Sequence, residues 1–311
     1  MAVSFGLLGL VAFFFRERLP AVVELLRGVS FPLFLASLGV FGGVIACNAR
    51  RLTLFLHFHS INLPFVRVLY FNMIALFVNL FLPSTLAGDA AKAYYIHECS
   101  GGRREVFGLV ILDRFFGLIS LVALSCTALI FSGAGNLPAN IRLTIYIMIA
   151  MTALAVLFLV HPGIAGLIDR VLSSLPPNRF TGLPRAIYST MQLSRYSGRI
   201  VLKALFLSLG AQFFYILNYY LISKSLGIEL PLTFFIFFVP INIVLGLVPS
   251  INGLGLREVA YLFYATEYIG SEEALALSLL STFTLLLAGC LGGVIYLISG
   301  SGKRGINIGR G

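Results

Sequence analysis

The stretch from Val248 to Tyr261 reads VPSINGLGLREVAY and places Arg257 and Glu258 within a long apolar region. It also holds a proline, two glycines and a Ser/Asn pair. Non-helical backbone at membrane depth persists only where it is buried in protein or lines a wet cavity. Charged residues at that depth are functional candidates by default. This stretch therefore predicts a kinked polar insertion at a binding site.

The composition is that of a polytopic membrane protein. Of the 311 residues, 59% are hydrophobic and 11% are charged, unlike soluble domains. Apolar runs recur along the whole chain, which predicts a single membrane domain over residues 1–311. The net charge of +10 lies in short basic clusters between these runs. Such clusters are typical of cytoplasmic loops rather than of a nucleic-acid-binding surface, so no nucleic-acid partner is predicted.

No sequence motif for redox, metal or hydrolytic chemistry is evident. The four cysteines are far apart, with the spacing of neither a disulfide framework nor a metal site. Zinc-hydrolase and nucleophile-elbow motifs are absent, and the tail sequence GSGK lacks the earlier glycine of a phosphate-binding loop. We therefore expect no cofactor, no metal and no catalytic residue.

Two short interruptions divide the apolar runs into spans and hairpins. The predicted membrane spans are residues 1–15, 31–48, 106–131, 143–160, 201–222 and 274–299. The interruption LPSTLAGDAAK separates arms at 64–82 and 89–98, and the second arm is too short to cross a bilayer. A matching pair of arms, 231–248 and 255–268, flanks the second interruption. Each pair is predicted to form a re-entrant hairpin.

The order of these elements repeats. Residues 1–131 and residues 143–299 each give span, span, broken hairpin, span. Three spans per half is odd, so the second half must be inverted and the two breaks meet near the bilayer midplane. Paired interruptions at corresponding positions point to a transporter site. The predicted fold is all-α and polytopic, with an inverted repeat whose halves each contain three spans and one broken re-entrant hairpin.

Loop charges give an orientation. Basic residues are roughly threefold more numerous on one side, which places both termini in the cytoplasm. Residues 162–200 mix apolar residues with arginines and are interpreted as a cytoplasmic amphipathic segment.

The two breaks supply the candidate substrate-binding residues. These are Asn79, Ser84, Thr85, Gly88, Asp89 and Lys92 in the first break, Ser250, Asn252, Gly253, Gly255, Arg257 and Glu258 in the second, and Asp113 and Arg114 in the span after the first hairpin. Hydroxyl and amide side chains can cap the helix that follows each break. The amino end of that helix favours an anionic group such as phosphate. Arg257 would bind phosphate in a bidentate manner and Lys92 would add positive charge, while Asp89 and Glu258 would hold an amine.

A structural role is the alternative for the charged residues. Asp89 and Lys92, at positions i and i+3, would neutralise each other or partners elsewhere and so hold the halves together, and Arg257 and Glu258 would do the same. Asp113 and Arg114 are adjacent on a helix and cannot both face one direction. One of them would either form an ion pair with another helix of the bundle or line the transport path.

Three segments resemble the motifs of a known family. LPSTLAGDAAKAYYI and VPSINGLGLREVAYLFY resemble the paired signatures of the lysylphosphatidylglycerol synthase transmembrane family, the flippase part of the bacterial multiple peptide resistance factor. LDRFFGL resembles the charged motif between them, with Asp113 in place of the usual glutamate, and Lys92 replaces an arginine of the first signature. The resemblance spans most of the chain. It implies a lipid translocase of the bacterial cytoplasmic (inner) membrane.

The resemblance also implies a stand-alone member without the soluble aminoacyltransferase domain of bifunctional relatives. An inner loop of about forty residues is too short to fold into such a domain. Assignment of lysyltransferase activity to this chain would therefore rest on the family name alone.

Three functions remain open from the sequence. The first is a flippase for an anionic or zwitterionic lipid, including aminoacylated or polyprenyl-linked lipids, that works by alternating access at a midplane site. The second is a membrane-embedded transferase with Asp89 or Glu258 as general base. The third is a transporter of a small solute or ion. Membrane lipids are the expected partners, and a second copy of the chain and a separate lipid-modifying enzyme are further candidates.

Overall fold

The computed structural model describes residues 19–82, 85–132, 139–160, 190, 196–245 and 256–299. Within these ranges the chain is all-helical, which confirms the predicted fold class. The helices are α1 Leu19–Arg27, α2 Phe31–Phe58, α3 Phe65–Asn79, α4 Thr85–Cys99, α5 Glu105–Ser132, α6 Ala139–Val160, α7 Gly198–Ser225, α8 Leu232–Leu245, α9 Leu256–Tyr264 and α10 Ser271–Ile298. The amphipathic segment predicted at 162–200 lies almost entirely outside the described residues.

Among the described residues, four helices are long and apolar enough to cross a membrane. They are α2, the Glu105–Thr127 part of α5, α7 and α10, and they match four of the predicted spans. The span predicted at 1–15 lies outside the described residues. The span predicted at 143–160 falls in α6, Ala139–Val160, which has 22 residues.

Helix α2 extends further than the sequence predicts. The two arginines after Asn48 were interpreted as a loop, but the helix continues to Phe58. Its last turns are apolar, and Phe55 packs on Phe116 with ring centroids 5.2 Å apart. The helix tolerates Arg51 because Asp113 compensates its charge inside the protein. Arg51 therefore no longer counts as a loop charge, and the orientation of the termini stays a prediction.

A short amphipathic helix, α1, occupies the segment that was predicted to be a plain connection. Its apolar face packs against α10, with Val22 only 1% exposed. The amide of Ser30 then donates to the carbonyl oxygen of Ser225 at 2.8 Å. This connection therefore ties the start of α2 to the end of α7.

Helices α3 and α4 form the first hairpin. Each has 15 residues, fewer than the roughly 20 needed to cross a bilayer. Helix α4 begins at Thr85 rather than at the predicted Asp89, so Gly88 does not break the helix. A Cβ on Gly88 would overlap the carbonyl oxygen of Ala75 and the side chain of Asn79. The glycine is required because it lets the two arms pack closely.

Helices α8 and α9 form the corresponding pair in the second half, with 14 and 9 residues. The break between them, residues 246–255, lies outside the described residues. This range includes four of the candidate site residues, Ser250, Asn252, Gly253 and Gly255.

Long-range packing joins helices from both parts of the chain. Helix α2 packs along α7, α3 packs on α10, and α8 packs on α5. The repeats predicted at 1–131 and 143–299, the inversion of the second half across a membrane, and the domain limits stay predictions.

Glycines permit the close contact of α10 with α3. A Cβ on Gly289, Gly292 or Gly293 would overlap Leu80, the carbonyl of Met73 or Phe77, respectively. The small-xxx-small spacing of Gly289 and Gly293 predicts such an interface.

Candidate functional site

A cavity of about 550 Å³ lies among α2, α3, α4, α5 and α7, with Ile243 of α8 at its edge. Most of its wall is apolar. The polar and charged wall residues are Asn48, Arg51, Asn72, Asn79, Asp89, Lys92, Asp113, Arg114, Gln212 and Tyr215. Cavities of this size, with a few polar groups in an apolar wall, are typical of ligand sites.

Asp89 is held by two cations. It accepts from Nε of Arg114 and, at 3.2 Å, from Nζ of Lys92. Lys92 also donates to Oδ1 of Asn72 at 3.2 Å. The structural alternative foreseen for Asp89 and Lys92, mutual neutralisation one helical turn apart, is therefore formed. Two cations face one carboxylate, so this group carries excess positive charge.

Asp113 belongs to a separate ion pair. It accepts from Nε of Arg51 at 2.6 Å, and Nη1 of Arg51 donates to Oγ of Ser208 at 2.7 Å. Asp113 and Arg114 thus face different directions, as their adjacency requires, and both pair with other helices. Arg51 joins α2, α5 and α7, yet the sequence interpretation placed it in a loop. The apolar run LTLFLHF after it was the signal for a longer helix.

The start of α4 is satisfied by the opposite arm of the hairpin. Oδ1 of Asn79 accepts from the amide of Gly88 at 2.8 Å, a capping contact of the kind expected from the sequence. Ser84 lies outside the described residues. Thr85 is the first residue of α4, and its side chain is likewise outside them.

The two charged residues of the second signature have different surroundings. Glu258 is fully buried and accepts from Oγ1 of Thr282 at 3.4 Å. Arg257 is 9% exposed, and its Nε and Nη1 have no hydrogen-bond partner among the described residues. A buried guanidinium group without a partner is costly. Arg257 therefore has hydrogen-bond donors that no described protein group uses.

The acidic residue of each short arm contacts the long helix that follows it. Asp89 of α4 is bound by Arg114 of α5, and Glu258 of α9 accepts from Thr282 of α10. Each short arm is therefore joined to the next long helix.

Tyr215 of α7 lines the same cavity as Asp89, Lys92 and Arg114. Its ring packs edge-on against Phe41, with ring centroids 5.9 Å apart. Arg257 is not part of the cavity wall. Sequence reasoning missed Tyr215 because a tyrosine in an apolar span looks like any packing aromatic.

The cavity wall includes exposed apolar residues and buried charged ones. Leu86 of α4 and Ile111 of α5 line it and are 58% and 37% exposed, whereas Asp89 and Lys92 on the same wall are buried. Across the ranges given above, no three His, Cys, Asp or Glu side chains lie close enough together to hold a metal ion.

Apolar helices of membrane-spanning length around a charged interior cavity define an integral membrane protein. A family model described as the lysylphosphatidylglycerol synthase TM region matches residues 1–293, and the chain belongs to this family. The resemblance drawn from the two interruptions is thereby confirmed. The family relates the protein to lipid synthesis or transport. No curated protein matches the chain.

Proposed function

We propose that the protein moves an anionic or zwitterionic lipid between bilayer leaflets, with the headgroup in the cavity and the acyl chains outside it. The composition of the cavity wall carries this proposal. Leu86 and Ile111 are exposed apolar residues of the wall, whereas Asp89 and Lys92 on the same wall are buried. A lipid has the same division between a polar head and apolar tails.

The charges in the cavity favour an anionic headgroup. Arg51, Lys92 and Arg114 outnumber Asp89 and Asp113 on the wall, and the first turn of α4 adds its positive end. Both carboxylates are already paired with cations of the protein. The amine of a zwitterionic headgroup would have to displace those cations, whereas phosphate would add to them.

In the proposed transport cycle, the two predicted repeats move relative to each other about the contact between α2 and α7. Helix α3 packs on α10, and α8 packs on α5. Movement of one repeat would therefore alter the cavity walls that α3, α4 and α5 form. Alternating access of paired repeats around a central site is the usual transporter arrangement.

The two other functions fit the site less well. A transferase would need a free general base, but Asp89 is engaged by Lys92 and Arg114. A solute transporter would need an aqueous vestibule, whereas most of the cavity wall is apolar.

Reconstitution of the pure protein in liposomes tests the proposal. Leaflet movement of labelled phosphatidylglycerol, its lysyl ester and a polyprenyl phosphate should exceed that of protein-free vesicles for at least one of them. Uptake of a soluble phosphate without lipid movement would instead support a solute transporter. Turnover of a lipid-linked donor in detergent without movement would support a transferase, and either result would overturn the lipid proposal.

A further inference from the structure

We propose that the cavity binds a phosphate ester that carries free hydroxyl groups, and that Gln212 selects this ligand by accepting a hydrogen bond from one hydroxyl. That the hydroxyl belongs to a lipid headgroup rests on the proposed function. Recognition of the hydroxyl itself does not require transport.

Amide side chains contribute much of the polar surface of the cavity. An amide offers both a donor and an acceptor, and a buried polar group without a partner is costly. The contacts that each amide makes within the protein therefore decide which of its atoms remain for a ligand. The amides on the wall are Asn48, Asn72, Asn79 and Gln212.

Gln212 of α7 has an acceptor that no described residue uses. It lines the cavity and is only 4% exposed. Ser120 donates its hydroxyl proton to the carbonyl oxygen of Gly117 at 2.7 Å, so its Oγ accepts from Gln212 at 3.3 Å. The same carbonyl oxygen lies 3.5 Å from Nε2 of Gln212. Because both contacts require a donor, Nε2 faces α5, and Oε1 is buried without a partner among the described residues.

Asn72 of α3 has an unused donor instead. Its Oδ1 accepts from Nζ of Lys92 at 3.2 Å, and an ammonium group can only donate, so the orientation of this amide is also fixed. Asn72 is 9% exposed, and its Nδ2 is buried without a partner among the described residues. This donor belongs to the part of the wall where Lys92 would attract an anion.

The two amides together define the hydrogen-bonding groups of the ligand. Nδ2 of Asn72 needs an acceptor, which a phosphate oxygen provides. Oε1 of Gln212 needs a donor, which an ionised phosphodiester lacks and which a hydroxyl or an ammonium group provides. The excess of cations over carboxylates on the wall opposes an ammonium group. The donor is therefore a hydroxyl.

The register of α5 brings the two kinds of recognition close together. Arg114, which binds Asp89, and Gly117, which contacts Gln212, both line the cavity. They are three positions apart on one helix, a rise of about 4.5 Å. This spacing suits a small polyol attached to phosphate, with the phosphate towards Arg114 and a hydroxyl towards Gln212.

Binding of two matched lipids to the full chain in a phosphate-free detergent tests this recognition. Thermal unfolding is followed during titration with short-chain phosphatidylglycerol or with phosphatidylpropanol, which keeps the charged phosphodiester but has a propyl group in place of glycerol. Wild type should bind phosphatidylglycerol about three- to tenfold more tightly, the effect of one hydrogen bond. Gln212→Met removes the acceptor and keeps the length of the side chain, so it should bind the two lipids with nearly equal affinity.

Two further variants separate recognition from damage to the fold. Ser223→Ala removes a hydrogen bond from the buried Ser223 of α7 to the carbonyl oxygen of Tyr220, away from the cavity, and it should keep the wild-type preference. Asn72→Leu removes the donor beside Lys92, so it should weaken both lipids by a similar factor and leave their ratio unchanged. A loss of stability alone does not alter a ratio of two affinities measured on one protein.

The ratio of the two affinities decides the outcome. Equal binding of both lipids by wild type would overturn the proposal, and so would the same preference in wild type and Gln212→Met. Tighter binding of phosphatidylethanolamine than of phosphatidylglycerol, lost in Gln212→Met, would also overturn it, because the donor would then be an amine.

Soluble esters identify the source of the hydroxyl. Glycerol 3-phosphate and propyl phosphate differ in the same way as the two lipids. Preference for phosphatidylglycerol alone supports a lipid headgroup site, and preference for glycerol 3-phosphate as well supports a site open to both sources. Discrimination without leaflet movement would support this site and refute the transport function, whereas movement without discrimination would do the reverse, so the two proposals fail separately.

Discussion

Arg51 and Asp113 lie 62 positions apart in the sequence and form a buried ion pair of 2.6 Å between Nε and Oδ1. The same arginine reaches Ser208 of the second half. A charge at this depth is tolerated only when it is matched. The pair therefore fixes α2 against α5 and leaves the group around Asp89 as the part of the cavity with excess positive charge.

Replacing one member of this ion pair should destabilise the protein more than replacing both members. Arg51→Met and Asp113→Leu should each lower the free energy of unfolding by about 3–5 kcal/mol, because each leaves a buried charge unmatched. The double variant should recover most of that loss. Unfolding in detergent by a denaturant measures the three values, and additive losses in the double variant would show that the two residues do not compensate each other.

Gly88 should tolerate no side chain. Gly88→Ala would press a methyl group against α3 at Ala75 and Asn79, with an expected loss of about 1–3 kcal/mol from overpacking. Gly42→Ala in α2 is the matched control, since a Cβ there meets nothing within 4 Å. Melting temperatures of the two variants test this. Equal values would mean that the hairpin arms are not in close contact.

We expect lipid to enter the cavity between α4 and α5, where the exposed Leu86 and Ile111 line its wall. Ile111→Trp would narrow this passage and slow leaflet movement of phosphatidylglycerol, with binding of inorganic phosphate unchanged. Ile147→Trp on α6 is the control, because Ile147 is 52% exposed and does not line the cavity. Unchanged movement in the Ile111 variant would argue against entry at this side.

A substitution at Asp89 tests whether the bound headgroup is anionic or zwitterionic. Asp89→Asn leaves Lys92 and Arg114 facing a neutral amide, so the ligand-free protein should melt at a lower temperature. An anionic lipid would then compensate more charge, and phosphatidylglycerol should raise the melting temperature more than it does in wild type. A smaller rise, together with lost binding of phosphatidylethanolamine, would instead indicate that Asp89 holds an amine.

The sequence predicted the outline of the fold well because long apolar runs and polar breaks are local signals. Four spans and the two short helices on either side of the first break followed from them. The end of α2 did not, since a pair of arginines looks like a loop unless the distant Asp113 is known. The start of α4 was missed because Gly88 serves packing against Ala75, a contact that one segment cannot reveal.

The candidate site was predicted in part. Asn79, Asp89, Lys92, Asp113 and Arg114 all line one cavity, and local charge within apolar sequence was enough to find them. Their pairing was not predictable, because ion pairs between helices depend on the tertiary arrangement. Arg51 and Tyr215 escaped notice for the same reason. The role assigned to each of these residues stays a prediction.

The most direct test of the account is leaflet movement of labelled phosphatidylglycerol in liposomes containing wild type, Arg257→Gln or Arg199→Gln. Arg257 is buried without a hydrogen-bond partner in the described structure, whereas Arg199 is exposed at the start of α7. Loss of the buried cation should slow movement by about tenfold or more, and loss of the exposed one should leave the rate at the wild-type value. Equal rates for all three proteins would contradict the claim that a phosphate-bearing headgroup passes through this site.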